Sequence, residues 1–338
     1  MGNNINCLST EKDKEDLDLT PKKDIFSFMR KSVKNNTINL SLFSLLKEKM
    51  NKLNITVKRI TKEYINNLIE KNPQAYSIIE SYSSDLKSLF NSTQHGNYLP
   101  PLQFINNEDN SIEYYEGEYN SQAEFNGIGL HLFDKNCIYI GQFNKDQYNG
   151  KGLLISNEGN SLYGDFVQGE CTGNGHLIIL GQSDYQGQFN NNQKNGHGIE
   201  KYIDNSIYEG NFINGNKNGQ GKYTFSNGEY YEGNFKDDLY EGEGIYEWPE
   251  EGRKYKGEFH IGNIEGNGMT QYSDGSIYKG HYIGGIREGE GSFTWNNGQT
   301  FVGNWLNNEL HGKGILTANG NQFEVVYRFG KIISSRNI

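Results

Sequence analysis

Cysteine and proline are both scarce, at three and five residues in a chain of 338. Cys7, Cys137 and Cys171 follow neither a metal-ligand spacing nor a disulfide framework, which excludes zinc ribbons and stapled secreted domains and fits a reducing cytosol. Long apolar runs are missing too. The longest mostly apolar stretch, Ile38 to Leu46, is too short to span a bilayer, and no secretory apolar segment stands near Met1. No Gly-x-x-x-x-Gly-Lys-(Ser/Thr) loop occurs, nor a His-Arg-Asp or Asp-Phe-Gly set, and the seven histidines are scattered. These absences leave no catalytic constellation, metal site or cofactor to assign. A non-enzyme is expected, with no nucleic-acid partner.

Glycine is abundant, at 42 residues, and it is periodic. Gly117, Gly141, Gly164, Gly187, Gly210, Gly233, Gly257, Gly280 and Gly303 recur at intervals of 23 or 24 residues. Gly129, Gly152, Gly175, Gly198, Gly221, Gly244, Gly268, Gly291 and Gly314 keep the same beat. Two locked positions per unit define a tandem array. The first glycine sits in aromatic-x-Gly-x-aromatic, as in Tyr208-Glu209-Gly210-Asn211-Phe212. Strand alternation puts both aromatics and the glycine on one face, with a ring lying across the bare backbone. The positions between are mostly Glu, Asn, Gln or Lys, which predicts a wet opposite face. The second glycine closes a Gly-x-Gly pair that opens strands such as Gly221-Lys222-Tyr223-Thr224-Phe225. Asn227-Gly228, Asp274-Gly275, Asn297-Gly298 and Asn319-Gly320 read as tight turns. Each unit is therefore a β-hairpin. The Gly-x-Gly pairs lack the strand–turn–helix setting of a dinucleotide site.

These motifs resemble the MORN (membrane occupation and recognition nexus) repeat family, whose unit of about 23 residues has the same Tyr-x-Gly-x-(Trp/Phe) and Gly-x-Gly pattern. The resemblance covers nine copies. It implies a mainly β fold: an elongated, single-layer, twisted antiparallel sheet of tandem hairpins, with a small α-helical segment before it. Copy 3 departs most, with Leu162 in the tyrosine slot. The domain reading is residues 1–20 as a flexible N-terminus, 21–97 as a basic helical leader, 98–330 as the array with half-unit caps, and 331–338 as a C-terminal tail. Tyr98 to Phe104 reads as the entering half-unit, its prolines suiting a sheet edge. Val325 takes a glycine slot in the closing strand.

Residues 1–97 hold 15 basic and 11 acidic side chains, and residues 98–338 hold 17 and 31. Positive charge thus concentrates in the leader, the half suited to anionic lipid or an acidic partner. Leu53, Val57, Ile60, Tyr64 and Leu68, widened by Ile65 and Ile69, form a stripe that predicts a helix. Asn72-Pro73 predicts the start of a second helix running to about Phe90. The helices would cap the sheet end. Gly2 and Cys7 are candidate acylation residues, although Asn6 stands where myristoylation favours Ser or Thr.

The functional expectation is a scaffold that binds a protein partner or a second copy through an aromatic ladder of Tyr115, Tyr139, Tyr185, Tyr208, Tyr231, Tyr255, Tyr278, Phe301 and Trp305. The resemblance implies a cytoplasmic setting, at the cytoplasmic face of a membrane or at the cytoskeleton or cilium. One alternative is a phospholipid-binding module using Arg253, Lys254 and Lys256; a second is a regulatory subunit of a lipid kinase or other enzyme.

Overall fold

A computed structural model of the protein describes residues 40–52, 55–59, 73–92, 97–133 and 137–338. They divide into two compact units, unit 1 ending at Gln193 and unit 2 running from Lys194 to Ile338. Unit 1 holds helices α1 (Leu40–Lys52), α2 (Pro73–Ser81) and α3 (Ser83–Ser92). Its strands are β1 (Ile55–Arg59), β2 (Asn97–Asn106), β3 (Ile112–Tyr119), β4 (Phe125–Phe133), β5 (Cys137–Asn144), β6 (Gln147–Ile155), β7 (Ser161–Val167), β8 (Glu170–Ile179) and β9 (Ser183–Asn190). Unit 2 is strand throughout: β10 (Gln193–Tyr202), β11 (Ile207–Ile213), β12 (Asn216–Thr224), β13 (Tyr230–Lys236), β14 (Leu239–Trp248), β15 (Arg253–His260), β16 (Asn263–Gln271), β17 (Ile277–Ile283), β18 (Ile286–Thr294), β19 (Thr300–Leu306), β20 (Glu309–Ala318), β21 (Asn321–Arg328) and β22 (Lys331–Asn337). All 22 strands are members of one open antiparallel sheet.

The register explains the two glycines. Gly117, Gly129, Gly141, Gly152, Gly164, Gly175 and Gly187 sit opposite one another on successive strands of unit 1. Gly198 through Gly314 do the same in unit 2. A line of backbone without side chains therefore crosses each unit, and the ladder rings lie on it. A Cβ at Gly268 would come within 2.3 Å of the Tyr255 Oη and 2.4 Å of its ring. Only glycine fits beneath the ring. The line stops where Val325 faces Gly314.

Two turn types alternate. Asn227-Gly228 lies in a three-residue loop, where Gly228 N donates to Phe225 O (3.0 Å) and Phe225 N to Glu229 O (2.8 Å). The two-residue turns lie at the opposite ends of the strands, at Asn214-Gly215, Asp237-Asp238 and Asn307-Asn308, where both residues have positive φ. Asn and Asp tolerate that conformation, and their side chains gain a second use. Asp238 Oδ1 accepts from Lys217 N at 2.8 Å, and Asn308 Oδ1 from Arg287 N at 2.9 Å, tying each turn to the preceding copy.

Two parts of the chain outside the repeats, and one face within them, differ from the sequence reading. The stripe through Leu53 and Val57 does not continue as a helix, because Ile55–Arg59 is a strand paired with Leu102–Asn106 of β2. Its β-branched run, Ile55-Thr56-Val57, favours strand, and pairing covers an otherwise open edge. The rest of that stripe, Leu53, Ile60, Tyr64, Ile65, Leu68 and Ile69, lies outside the described residues, as do Gly2 and Cys7. The expected tail, residues 331–338, contains β22, which pairs with β21. The opposite face of unit 1 is not wet. Ile128, Leu130, Leu132, Ile138, Ile140, Leu153 and Ile155 form a buried cluster with Ala75, Ile79, Tyr82 and Leu86 of the α2–α3 segment. The sheet of unit 2 is one layer, whereas that of unit 1 carries a helical layer. The second predicted helix is present as α2 and α3, separated at Tyr82.

Candidate partner-binding faces of the repeat sheet

The ladder residues are core. Tyr115, Tyr139, Tyr185, Tyr208, Tyr231, Tyr255, Tyr278 and Phe301 are wholly buried, and Trp305 is 5% exposed. Each of the seven tyrosine hydroxyls donates to the carbonyl three residues ahead, at 2.8–3.1 Å, so none lines a rim. In unit 2 each tyrosine ring stands edge-on between the second aromatic of its own copy and that of the next, at 4.9–5.3 Å. Burial pushes the phenols up, Tyr278 to about 12 and Tyr115 well above the ordinary range.

Another residue closes over the ring, and the sequence reading missed it. Tyr148 stacks on Tyr139 and Tyr240 on Tyr231, both at 3.8 Å. Lys217 lies 5.6 Å from the Tyr208 ring centre, and Arg287 lies 5.5 Å from that of Tyr278 and 4.6 Å from that of Trp305. Each stands nine positions after its ladder residue, paired across the two-residue turn with the second aromatic (Phe143 with Tyr148, Phe235 with Tyr240, Tyr282 with Arg287). The mixture of Tyr, Lys and Arg hid this position: what they share is a flat ring or a long stem with a charged head, not polarity. The expected groove over the ladder is filled by these side chains.

The groove is on the reverse face. In unit 2 two adjoining hollows, each about 670 Å³, share Glu290, Gly291 and Val302. Their floor is the glycine line from Gly257 to Gly314. Glu243, Glu258 and Glu290 stand on one side of that line in β14–β18, with Lys256, Met269 and Lys279 on the other. Val302 and Ile315 are 56% and 42% exposed there. In unit 1 the same face is where the α2–α3 segment packs. Tyr82 anchors it: its ring stacks on Tyr163 at 5.0 Å, and its hydroxyl lies 2.6 Å from His176 Nδ1, whose Nε2 meets Asp184 at 2.8 Å. Burial and the nearby Asp184 carboxylate push the Tyr82 phenol to about 12.

The three residues of the expected lipid patch do not share a surface. Arg253 is on the ladder face, 3.9 Å from the Trp248 ring centre and paired with Glu251 at 3.0 Å. Lys254 and Lys256 are on the reverse face, and Lys254 is paired with Glu247 at 3.1 Å. Among the described residues no group of three or more His, Cys, Asp or Glu is placed to hold a metal ion. Nor is any helix among them long and apolar enough to cross a membrane. Burial pushes the Cys171 thiol to about 12, leaving it a poor nucleophile.

The class defined by this geometry is a tandem-hairpin repeat protein. The MORN repeat family model matches residues 139–161, 185–207, 208–230, 231–253, 255–277, 278–300 and 301–322, and the chain is a MORN-repeat protein. The model passes over the copy with Leu162 in the ladder slot. A comparison with curated proteins found no match. Among solved structures, the chain is similar to the TCP domain of SAS-4 (dCPAP) from Drosophila melanogaster, in complex with a proline-rich motif of Ana2 (dSTIL), at 16% identity and TM-score 0.29, over 52% of this chain and 90% of that one. It is similar to a streptogramin B lyase at 13% identity and TM-score 0.14, over 67% of this chain and 87% of that one. Neither likeness is close enough to inform function.

Proposed function

We propose that the protein is a non-catalytic scaffold that captures a protein partner in the reverse-face groove of unit 2. The observation that carries this reading is one face used twice. In unit 1 it is apolar and occupied by the chain's own α2–α3 segment, and in unit 2 it is open, glycine-floored and lined by unlike charges. Repeat sheets commonly recognise partners on an extended surface. The family resemblance favours a membrane-associated or cytoskeletal setting, with Gly2 and Cys7 as candidate anchors. The separation of Arg253 from Lys254 and Lys256, and the pairing of the first two, weigh against a phospholipid surface on the array.

The test is a photo-crosslinking amino acid at Val302 in the full chain, compared with one at Ser226 in a loop, in cells that make the protein. A partner captured from Val302 and not from Ser226 is expected. Equal capture, or none from Val302, sinks the groove. Co-sedimentation with anionic vesicles checks the lipid alternative; binding that falls steeply with salt and vanishes in Lys256→Glu would restore it.

A further inference from the structure

Resting on the reading that this groove binds protein, we propose that its occupant is an α-helix of a partner, lying across the strands, with one cationic and one anionic edge. The groove runs perpendicular to β14–β18, whose backbone groups are spent on each other. An extended segment lying across them would find no ladder to join, and its own amides would go unmet. A helix brings its backbone bonds already made. The floor between the two rows of charged side chains is main chain at Gly257, Gly268, Gly280 and Gly291, and a helix bearing small residues on its contact face can lie on it. The α2–α3 segment crosses the same face in unit 1 and presents a wholly buried Ala75.

Charge sets the edges. Glu243 and Glu258 are directly opposite in register, and like charges so placed repel. Across the glycine line, Lys256 and Lys279 flank Met269. Among the described residues Glu243, Glu258, Glu290, Lys256 and Lys279 form no ion pair. A helix with Lys or Arg toward the glutamates and Asp or Glu toward the lysines relieves both rows at once. Five strands span about 19 Å, the length of roughly 13 helical residues.

The test uses three alanine-based helical peptides: one with a lysine edge and a glutamate edge, one with lysine on both edges, and one with glutamate on both. Their affinity for the full chain is measured by fluorescence anisotropy at low salt. The two-edged peptide is expected to bind at least about tenfold more tightly than either other. The Lys256→Glu/Lys279→Glu double variant, exposed at both sites and checked for an unchanged strand spectrum, is expected to prefer the two-lysine-edge peptide. Equal affinities, or a preference unmoved by the charge reversal, overturn the proposal. If no peptide binds while Val302 still captures a partner, the helix is wrong and the groove stands. If neither binds, both fall. A Val302 product at twice the chain's mass places a second copy there and also overturns the partner helix.

Discussion

Within each copy, glycine and tyrosine work as a pair, the glycine removing a side chain so that the ring can lie on the strand. The two kinds of glycine are therefore expected to respond differently to alanine. At Gly268 the new methyl meets the Tyr255 ring, and Gly268→Ala should cost about 3 kcal/mol. At Gly275 there is open space and only a left-handed φ of 83°, and Gly275→Ala should cost about 1 kcal/mol. Urea midpoints of the two variants decide this, and equal losses would remove the ring from the explanation. Tyr231→Phe should cost about 1 kcal/mol for the bond to the Asn234 carbonyl, and Tyr231→Ala about 4 kcal/mol for the emptied site. Phe301 already occupies a ladder slot without a hydroxyl. The same burial makes the fold sensitive to alkali. Below pH 10 the Tyr278 phenol is protonated in both folded and unfolded chains; as pH rises toward 12 only the unfolded chain loses the proton, so stability falls. Phenolate absorbance should rise together with loss of strand signal. Ionisation of every phenol with the strand signal intact would contradict it.

The helices and strands outside the repeats show where a residue pattern is ambiguous. The stripe through Leu53 and Val57 has helical spacing, yet the five residues Ile55–Arg59 within it form β1 because an edge of β2 was available to pair. By contrast, Asn72-Pro73 predicted the α2–α3 segment correctly, since a proline in a first helical turn carries its own local reason. The apolar reverse face of unit 1 was visible in Leu130, Leu132, Ile138, Ile140, Leu153 and Ile155, which break the polar alternation seen in later copies. Which segment covers it could not be read, because that depends on a contact between distant parts of the chain. Ile79→Asp places a charge in that contact and should release the helices, with a marked rise in binding of an apolar-surface dye. Met269→Asp, on the corresponding face of unit 2, should leave dye binding unchanged. Similar behaviour of the two would mean that the helices do not shield the face.

Over the whole molecule the repeat itself was legible, because two glycines at fixed spacing tolerate no substitute. The binding face was not. Alternation told which side chains share a surface, but it could not tell that the aromatic side is filled by Tyr148, Tyr240, Lys217 and Arg287, while the charged side is hollow. The periodicity also predicts what the chain can lose. Deleting residues 231–254 joins Tyr230 to Tyr255, removes one complete copy, and should leave a folded array of similar cooperativity. Deleting residues 231–241 removes one strand and reverses every following one, and should abolish the native strand spectrum downstream. Circular dichroism and melting of the two variants make the comparison.

The glycine line also has a hereditary side. A strand bearing Gly221 can follow Gly210 and precede Gly233 without regard to which copy supplied either. Misaligned recombination between copies in the gene would then add or remove coding blocks one copy long and still encode a continuous ladder. Val325 closes that freedom, since its side chain fills the place where another ring would have to lie. Copy number can drift in the interior of the array, and the valine marks the end from which it cannot grow.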